Sequence, residues 1–441
     1  MTQYPHIGLA RRLERLAILF VALFIIYLAV VGFLSITRGT PLRAVIAEGN
    51  GSGPPPVTDS LFERTMEMFT GTHVAAGNKV QSVNNGTVYD SLWRDLRAAK
   101  HTITIQMYYS LPGIVADTLA AVLGERARAK VRVLLLLDAF GSQNLKREWA
   151  RKLQDAGVEL ALLRKLRWYS IHNATDRSHV RVVVVDGKVG YTGGFGIADY
   201  WLGDGLHDEQ WRESNVRFEG PAVMQLQAAF AAGWVEATGE LITGDVFFPR
   251  QAFEPLADGM DAGVLFTSPT TGSTPAERFL ALSLASPRKS LYITNSYFVP
   301  DDDFRRLLKR AVQRGVDVRV LTVSARTDVK TTWYAGRHWY EDLMKAGIRI
   351  YEYQPSMIHS KTFVVDGLWS TVGSMNFDNR SLAFNNESNL VVLDARFGAE
   401  MDSIFRADLQ HAKEIKLDEF SRRSVWQKLL ELTAVMLSRL L

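Results

Sequence analysis

Histidine and lysine lie two residues apart in one segment of this 441-residue chain, at the spacing of a strand face. The segment contains His359, Lys361 and Asp366, and Ser374 and Asn376 follow it. Residues two apart on a strand share a face, and the Asp-Gly pair that begins at Asp366 predicts a hairpin turn. If the returning strand pairs with the first, imidazole, ammonium, hydroxyl and amide meet in one pocket. That group suits a phosphodiester, which needs a nucleophile or acid beside donors for its non-bridging oxygens.

A second copy of this pattern lies 180 residues earlier and departs from it in part. His179 and Asp186 keep their places, whereas Arg181 stands at the lysine position. Gly194 replaces the serine, and Gly196 replaces the asparagine and so removes an expected donor. Arginine keeps the charge and binds phosphate in a bidentate way, but it is longer and planar. The pattern favours a first copy that still takes part in chemistry and leaves open a degenerate, structural one.

The elements around the two segments also repeat. Residues 131–134 (VRVL) recur at 318–321, and residues 181–187 (RVVVVDG) correspond to 361–367 (KTFVVDG). Each copy is predicted as strand, helix, strand, short helix, strand and then a strand–turn–strand unit. Continuous apolar runs such as 133–137 are typical of strands covered on both faces, which indicates an α/β sandwich. The chain therefore contains a duplicated domain whose equivalent loops are expected to lie opposite each other.

The N-terminal part is predicted to cross a membrane. Residues 16–36 contain no charged side chain, and 21 residues at about 1.5 Å each span roughly the 30 Å of a bilayer core. A cleaved signal peptide, the main alternative, has a shorter apolar region. Three arginines precede the span and two follow it, which slightly favours an N-terminus inside the cell. The predicted organisation is an N-terminal segment 1–15, a transmembrane helix 16–36, a linker 37–59, a first half 60–257, a second half 258–415 and a C-terminal amphipathic helix 416–441.

Two further segments have apolar or basic patterns with alternative interpretations. Apolar residues recur at helical spacing from Ser424 onward, which predicts an amphipathic helix. This helix packs onto the body by default, or lies on the membrane surface. Residues 164–169 (RKLRWY) are either part of a solvated face or a basic aromatic contact for anionic head groups.

Composition excludes several kinds of site. The chain has no cysteine, so it has no disulfide, thiolate zinc site or cysteine nucleophile. A net charge of +4 without a polybasic tail argues against nucleic acid as a partner. The other seven histidines show no recognisable partner pattern and are predicted to be structural or on the surface: His6, His73, His101, His172, His207, His338 and His411.

The motif H-x-K-x-x-x-x-D followed by G-S-x-N, present in two halves, resembles the phospholipase D superfamily over nearly all of residues 60–415. Longer runs resemble its bacterial cardiolipin synthase branch: 191–194 (YTGG), 211–213 (WRE), 219–223 (EGPAV), 297–300 (YFVP), 314–318 (RGVDV), 373–381 (GSMNFDNRS) and 386–387 (NE). The resemblance implies an α/β fold of two α/β/α sandwich halves related by a pseudo-two-fold axis.

The resemblance also implies roles for the site residues. His179 is the expected nucleophile and His359 the acid and base, with Glu213 and Glu387 orienting the two imidazoles. The phosphate-binding or orienting positions are Gly194, Ser374 and Asn376. Arg181, Lys361, Asp186 and Asp366 complete the two catalytic motifs, although the two aspartates are expected to set turns rather than to touch substrate. No metal and no cofactor are expected.

The implied function is that of a membrane-anchored phosphatidyltransferase of the cell membrane. Two phosphatidylglycerol molecules would give cardiolipin and glycerol through a phosphohistidine. The alternatives are a phospholipase D that transfers to water, a phosphodiesterase or nuclease of the same superfamily, and a non-catalytic lipid-binding protein.

Overall fold

The computed structural model describes residues 6–38, 42, 44–46, 54–165, 177–269 and 273–438. Helix α1 spans His6–Arg38. Within it, Arg12–Val30 is apolar and long enough to cross a membrane, and none of it is buried against the rest of the described chain. The predicted span 16–36 lies inside this helix, and helix α2 (Ser60–Thr70) begins beyond the proline-rich linker.

Two series of strands and helices follow in the same order. The first series is β1 (Ala75–Ser82), α3 (Thr87–Ala98), β2 (Thr102–Met107), α4 (Ile114–Arg128), β3 (Arg132–Asp138), α5 (Arg147–Asp155), β4 (Glu159–Leu163), β5 (Arg177–Ser178), β6 (Val182–Val185), β7 (Val189–Gly193), β8 (Trp211–Arg212), β9 (Asn215–Glu219) and α6 (Ala222–Thr238). The second is β10 (Met260–Thr267), α7 (Pro275–Ala285), β11 (Ser290–Asn295), α8 (Asp302–Gln313), β12 (Asp317–Val323), α9 (Lys330–Lys345), β13 (Arg349–Tyr353), β14 (Met357–Ile358), β15 (Lys361–Val365), β16 (Trp369–Gly373), α10 (Asn379–Ala383), β17 (Asn385–Leu393) and α11 (Ala395–Leu409). The chain continues through β18 (Ala412–Glu414), α12 (Leu417–Ser421) and α13 (Val425–Ser438), and short 3-10 turns lie at Asp199–Trp201 and Arg250–Phe253.

The strand order shows the duplication directly. The first series forms a sheet in the order β4-β3-β2-β6-β7-β9-β1, and the second forms β13-β12-β11-β15-β16-β17-β10. The two orders are equivalent strand for strand, and antiparallel pairing of β1 with β10 joins the sheets. Strands β2, β3 and β4 of the first half are parallel to one another, as are β11, β12 and β13 of the second. The hairpin strands that follow in each sheet, β6 with β7 and β15 with β16, pair antiparallel. The predicted duplicated α/β fold is confirmed.

Alternating side chains of the central strands supply two separate core layers. On β15, Phe363 and Val365 join the core beneath α7, α8 and α9, whereas Val364 joins a core that contains α6 and α11. Because successive strand residues point to opposite faces, α9 and α11 cover opposite faces of the second sheet. The core with α6 and α11 includes residues of both halves, such as Leu136 and Val392. The halves therefore bury a shared face.

Helix α2 packs onto the second half although it precedes the first in the sequence. The ring of Phe62 meets that of Trp369 edge to face, with centroids 5.2 Å apart, and Phe62 and Met66 belong to the core beneath α7 and α8. The chain therefore enters the body on the side of the second half before β1 begins.

Candidate active site

The two hairpins of the sequence motifs end in matching turns. Asp186 and Asp366 have φ of +51° and +53°, a left-handed conformation that aspartate tolerates in tight turns. Each carboxylate accepts three backbone N–H groups of a neighbouring strand start, from residues 100–102 and 288–290, at 2.7–2.9 Å. These aspartates therefore fix the hairpins to the starts of β2 and β11, and they do not line the cavity described below.

Short strands cross between the halves at the opposite end of the hairpins. Strand β5, just before His179, pairs in parallel with the start of β17 in the second half. Strand β14, just before His359, pairs in parallel with β8 of the first half. Each histidine is therefore placed beside a glutamate of the other half: His179 beside Glu387 on β17, and His359 beside Glu213 just after β8.

This exchange produces two reciprocal imidazole–carboxylate pairs. His179 Nδ1 lies 3.0 Å from Glu387 Oε2, and His359 Nδ1 lies 2.5 Å from Glu213 Oε2. An ionised carboxylate can only accept, so with an ionised partner each Nδ1 donates and each Nε2 keeps its lone pair. Both imidazoles line one cavity, where Nε2 is the nitrogen left for a bound molecule.

The two glutamates are held differently. Ser374 Oγ donates to Glu387 Oε2 at 2.5 Å, whereas Trp201 Nε1 donates to Glu213 Oε2 at 3.1 Å. Gly194 occupies the position equivalent to Ser374, and a Cβ there would lie only 2.3 Å from Glu213 Oε2. The absence of a side chain at Gly194 therefore makes room for the Glu213 carboxylate.

The basic residues of both motifs are buried and make equivalent contacts. Arg181 Nη1 donates to the carbonyl of His179 at 2.7 Å, and its Nε donates to the carbonyl of Phe195 at 3.0 Å. Lys361 Nζ donates to the carbonyl of His359 and, at 3.1 Å, to Ser296 Oγ. In each half a cation therefore braces the backbone of its histidine, and Arg181 also lines the cavity.

The cavity has a volume of about 400 Å³, within the range of small-molecule sites. Of the predicted residues it brings together His179, Arg181, His359 and Asn376. Lys361, Glu213 and Glu387 lie behind this lining and hydrogen-bond to its two histidines, and Ser374 lies behind Glu387 and donates to it. The Oδ1 atom of Asn376 is buried without a hydrogen-bond partner. At Gly196, the first-half equivalent of Asn376, a Cβ would lie 2.7 Å from the carbonyl of Tyr109 and 2.9 Å from the Trp201 ring.

Sequence reasoning missed the aromatic and additional basic lining. Ring centroids of Tyr108 and His179 lie 5.1 Å apart, and those of Trp211 and His359 lie 5.0 Å apart. Arg177 and Arg380 add two cations to the lining. Trp211 and Arg380 fall within the motif runs, and tyrosines follow both β2 and β11. The repeated sequence pattern could therefore have identified part of this aromatic and basic lining.

Burial and neighbouring charges shift the ionisation of the two pairs. Burial, with the charge of Lys361, lowers the pKa of His359 to about 4, and burial lowers the pKa of His179 well below its usual value. Burial raises the pKa of Glu387 to about 8. Burial also acts to raise the pKa of Glu213, but His359 and Lys361 outweigh it and lower that pKa to about 2. Burial therefore favours the neutral form of both imidazoles, and Glu213 ionises more readily than Glu387.

The other groups considered from the sequence lie apart from this cavity. His73, His101, His207, His338 and His411 do not line it, and the side chain of His6 and all of His172 are outside the described residues. In the basic aromatic stretch, Arg164 pairs with Glu236 at 2.8 Å, and residues 166–169 are not described. Across the described parts of the chain, no three His, Asp or Glu side chains cluster as metal ligands would.

Comparison with known proteins identifies the repeated domain. The family model described as "Cardiolipin synthase, PLD-like domain" matches residues 92–234 and 280–409. The chain is 31% identical to cardiolipin synthase 2 of Bacillus cereus, over 86% of this chain and 74% of that protein. It is 32% identical to cardiolipin synthase of Geobacillus kaustophilus, over 83% of this chain and 73% of that protein. Cardiolipin synthase A of Pseudomonas syringae is also 32% identical, over 81% and 74% of the two chains.

Solved structures agree with the fold. Phosphatidylserine synthase of Haemophilus influenzae superposes with a TM-score of 0.63, covering 86% of this chain and 97% of that chain at 12% identity. Polyphosphate kinase of Porphyromonas gingivalis gives a TM-score of 0.53 at 12% identity, covering 77% of this chain and 49% of that chain. At this identity the likeness concerns the fold alone.

Proposed function

The chain belongs to the cardiolipin synthase family of phospholipase D-like proteins, and from this premise we propose that it is a membrane-anchored phosphatidyltransferase. Its reaction is the transfer of the phosphatidyl group of one phosphatidylglycerol to the hydroxyl of a second, with release of glycerol. One phosphodiester replaces another, so the transfer needs no nucleotide. The α1 helix keeps the enzyme at a membrane, where lipid hydroxyls are concentrated.

The observation that carries this proposal is the reciprocal pairing His179–Glu387 and His359–Glu213 in one cavity. Two imidazoles with their Nδ1 atoms held by carboxylates supply one nucleophile and one proton carrier. Arg177, Arg181 and Arg380 give the same cavity the cations that an anionic phosphodiester requires. This set supports group transfer at phosphorus through a covalent intermediate.

In the first step, His179 Nε2 attacks phosphorus while the bond from phosphorus to the glycerol oxygen breaks. His359 gives that oxygen its proton. The resting imidazole of His359 is neutral, but a phosphodiester anion offsets the positive charge of Lys361 and Arg181 and so raises the pKa of His359. The ionised Glu213 then stabilises the imidazolium that donates the proton.

In the second step, His359, now neutral, removes the proton from the hydroxyl of a second phosphatidylglycerol. The resulting alkoxide attacks the phosphohistidine, the bond from nitrogen to phosphorus breaks, and cardiolipin leaves with His179 restored. Acid and base are the same group in alternating protonation states, as microscopic reversibility requires.

The decisive assay uses purified full-length protein in phosphatidylglycerol vesicles, with cardiolipin and glycerol measured by mass spectrometry. We expect cardiolipin in large excess over phosphatidic acid, with glycerol equal to the sum of the two, because hydrolysis also releases one glycerol. His179→Ala and His359→Ala should each abolish turnover, whereas His207→Ala, which changes an exposed histidine outside the cavity, should not. Phosphatidic acid as the sole product would establish a hydrolase instead. Inactivity on lipid together with cleavage of single-stranded nucleic acid would overturn the substrate class.

A second experiment assigns the two histidines. A phosphatidyl ester of p-nitrophenol releases a stable anion, so the first step no longer needs a proton from His359. We expect His359→Ala to release p-nitrophenol in a burst equal to the enzyme concentration and to accumulate a phosphohistidine at position 179. His179→Ala should show no burst. A burst with His179→Ala and none with His359→Ala would reverse the assignment.

A further inference from the structure

The last described helix, α13, buries Glu431 and Ala434 against the body and exposes most of its large apolar side chains. Glu431 is 1% exposed and Ala434 is buried, whereas Trp426 is 75% exposed. The exposed apolar side chains form one face, defined here as the outer face of α13: Val425, Trp426, Leu429, Leu430, Leu432, Met436 and Leu437. A surface helix of a water-exposed domain normally buries its large apolar side chains and exposes its charged ones.

Ion pairs hold α13 in this orientation. Arg423, just before the helix, pairs with Glu431 at 2.9 Å and with Glu341 of α9 at 3.0 Å. Arg337 of α9 lies 3.8 Å from Glu431. A buried carboxylate with two arginines nearby fixes the inward face, because turning the helix would bury these charges unpaired or expose them to an apolar medium. The outer face contains no charged side chain.

The membrane-spanning helix lies beside the outer face. Tyr27, within the apolar span Arg12–Val30 of α1, donates its hydroxyl to the backbone carbonyl of Met436 at 2.6 Å. A residue of the bilayer-spanning segment and the C-terminal turn of α13 are thus in direct contact. The apolar medium around α1 therefore extends to the outer face of α13.

We propose that α13 is a second membrane contact of this protein, lying in the bilayer interface with its outer face among the acyl chains. Its uncharged apolar face, terminal tryptophan and contact with α1 match an interfacial helix. A lipid bilayer is the occupant, and it covers the side chains that no described part of the chain covers.

This contact bears on the cavity because α13 runs along α9 toward it. Arg423 meets Glu341, and Glu431, two turns later, lies near Arg337, so α13 is antiparallel to α9 and approaches its N-terminal end. Val329 and Thr332, at that end of α9, line the active-site cavity. Insertion of the outer face therefore holds the α9 wall of the cavity close to the lipid head groups. This consequence rests on the function proposed above, whereas the insertion itself does not.

The chain has no cysteine, so single cysteines can be labelled without background. Leu432→Cys places an environment-sensitive fluorophore on the outer face, and Ala399→Cys places it at an exposed site on α11, on the opposite side of the second sheet. Both full-length variants are reconstituted in vesicles of phosphatidylglycerol and phosphatidylcholine with nitroxide-labelled acyl chains. We expect a blue-shifted label that the nitroxides quench at position 432, and an unquenched label in water at position 399.

Each other outcome overturns the proposal. Equal emission from both labels in a watery environment would show that the outer face is not inserted. A blue-shifted label at position 432 that escapes the lipid nitroxides and forms 432–432 cross-links would show that a second copy of the chain covers this face.

A functional measurement complements the labels. Replacing Leu429 and Leu432 by glutamine removes apolar area without touching the inward face, and should lower the rate on vesicles about fivefold or more. The rate on detergent-dispersed lipid should stay within about twofold, because a micelle reaches the cavity without an inserted helix. Equal losses on both substrates would contradict the proposed role in access. Quenching at position 432 reports insertion even if the protein transfers no phosphatidyl group, which separates this proposal from the proposed reaction.

Discussion

Replacing Glu213 by glutamine tests whether the carboxylate behind His359 acts in proton transfer. Glu213 accepts hydrogen bonds from His359 Nδ1 at 2.5 Å, from Trp201 Nε1 at 3.1 Å and from the backbone N–H of Ser214 at 3.1 Å. Glutamine has the same shape but a single accepting oxygen. If that oxygen serves His359 and Trp201, the amide NH₂ faces the N–H of Ser214, and two donors oppose each other.

The size of the effect follows from the bond that is lost. A hydrogen bond to a charged group contributes about 1.5–3 kcal/mol, against about 0.5–1.5 kcal/mol for a neutral one. The imidazolium needed for proton donation also loses its counter-charge. A cost of about 1.5–3 kcal/mol in the transition state corresponds to a loss of roughly 10- to 150-fold in rate.

The assay compares cardiolipin formation by the parent, Glu213→Gln and the matched control Glu209→Gln, which changes an exposed glutamate nearby. Thermal unfolding of all three checks that the fold is kept. With the p-nitrophenyl ester the defect of Glu213→Gln in the first step should shrink several-fold, since that leaving group needs no proton. Activity of Glu213→Gln within threefold of the parent, or an equal loss with both substrates, would refute the role in proton transfer.

Four further predictions concern the cations, the turns and metal dependence. Arg181→Ala should lower kcat/KM on vesicles at least tenfold, about 1.4 kcal/mol or more, whereas Arg181→Lys should retain activity. An alanine variant as active as the parent would exclude a contact between Arg181 and phosphate. Burial lowers the pKa of Lys361 to about 7 and raises that of Glu387 to about 8. The pH profile of kcat/KM should therefore rise as Glu387 ionises and fall as His359 and Lys361 lose their protons, and Lys361→Arg should make the alkaline fall shallower without removing it. Asp366→Ala should lower the free energy of unfolding by about 2 kcal/mol or more, because three backbone N–H groups lose their acceptor, and a denaturant titration measures this loss. The kcat of the folded variant should be unchanged in an activity assay. Transfer should survive EDTA in the vesicle assay, and loss that one divalent ion restores would contradict the proposed mechanism.

The duplicated fold was predictable because its signals are local. The strand spacing of His359 and Lys361 and the turn at Asp366 lie within a few residues, and each has a copy 180 residues earlier. Apolar runs buried on both faces identified the central strands in the same way. A repeat of such local signals is sufficient to predict two similar halves.

The pairing of each histidine with a glutamate of the other half was not predictable from such signals. It depends on β5 with β17 and β14 with β8, where the partners are two-residue strands far apart in the sequence. A two-residue strand has no periodicity to detect. The packing of α2 on the second half was not predictable for a similar reason, because Phe62 and Trp369 are far apart in the sequence and meet only in the folded chain.

The orientation of α13 shows a different limit. Helical periodicity from Ser424 onward predicts two faces but not which of them points inward. That choice depends on Arg337 and Arg423, which pair with Glu431 and hold the face that carries this glutamate against the body. The sequence alternatives of packing on the body and lying on a membrane are therefore compatible, because each uses a different face of the same helix.

The differences between the two halves support a division of labour between the histidines. The acid and base must pass through an imidazolium, which an ionised neighbour stabilises, and Glu213 beside His359 has a pKa of about 2. The nucleophile must present an unprotonated Nε2, and burial beside Arg181 and Lys361 lowers the pKa of His179 well below its usual value. Glu387, with a pKa raised to about 8, leaves the His179 pair without a standing negative charge near pH 7 and becomes a full acceptor for Nδ1 only when it ionises. A symmetric scaffold thus gives its two imidazoles unequal surroundings, and in the proposed mechanism this inequality is what assigns the phosphoryl group to one histidine and the proton to the other.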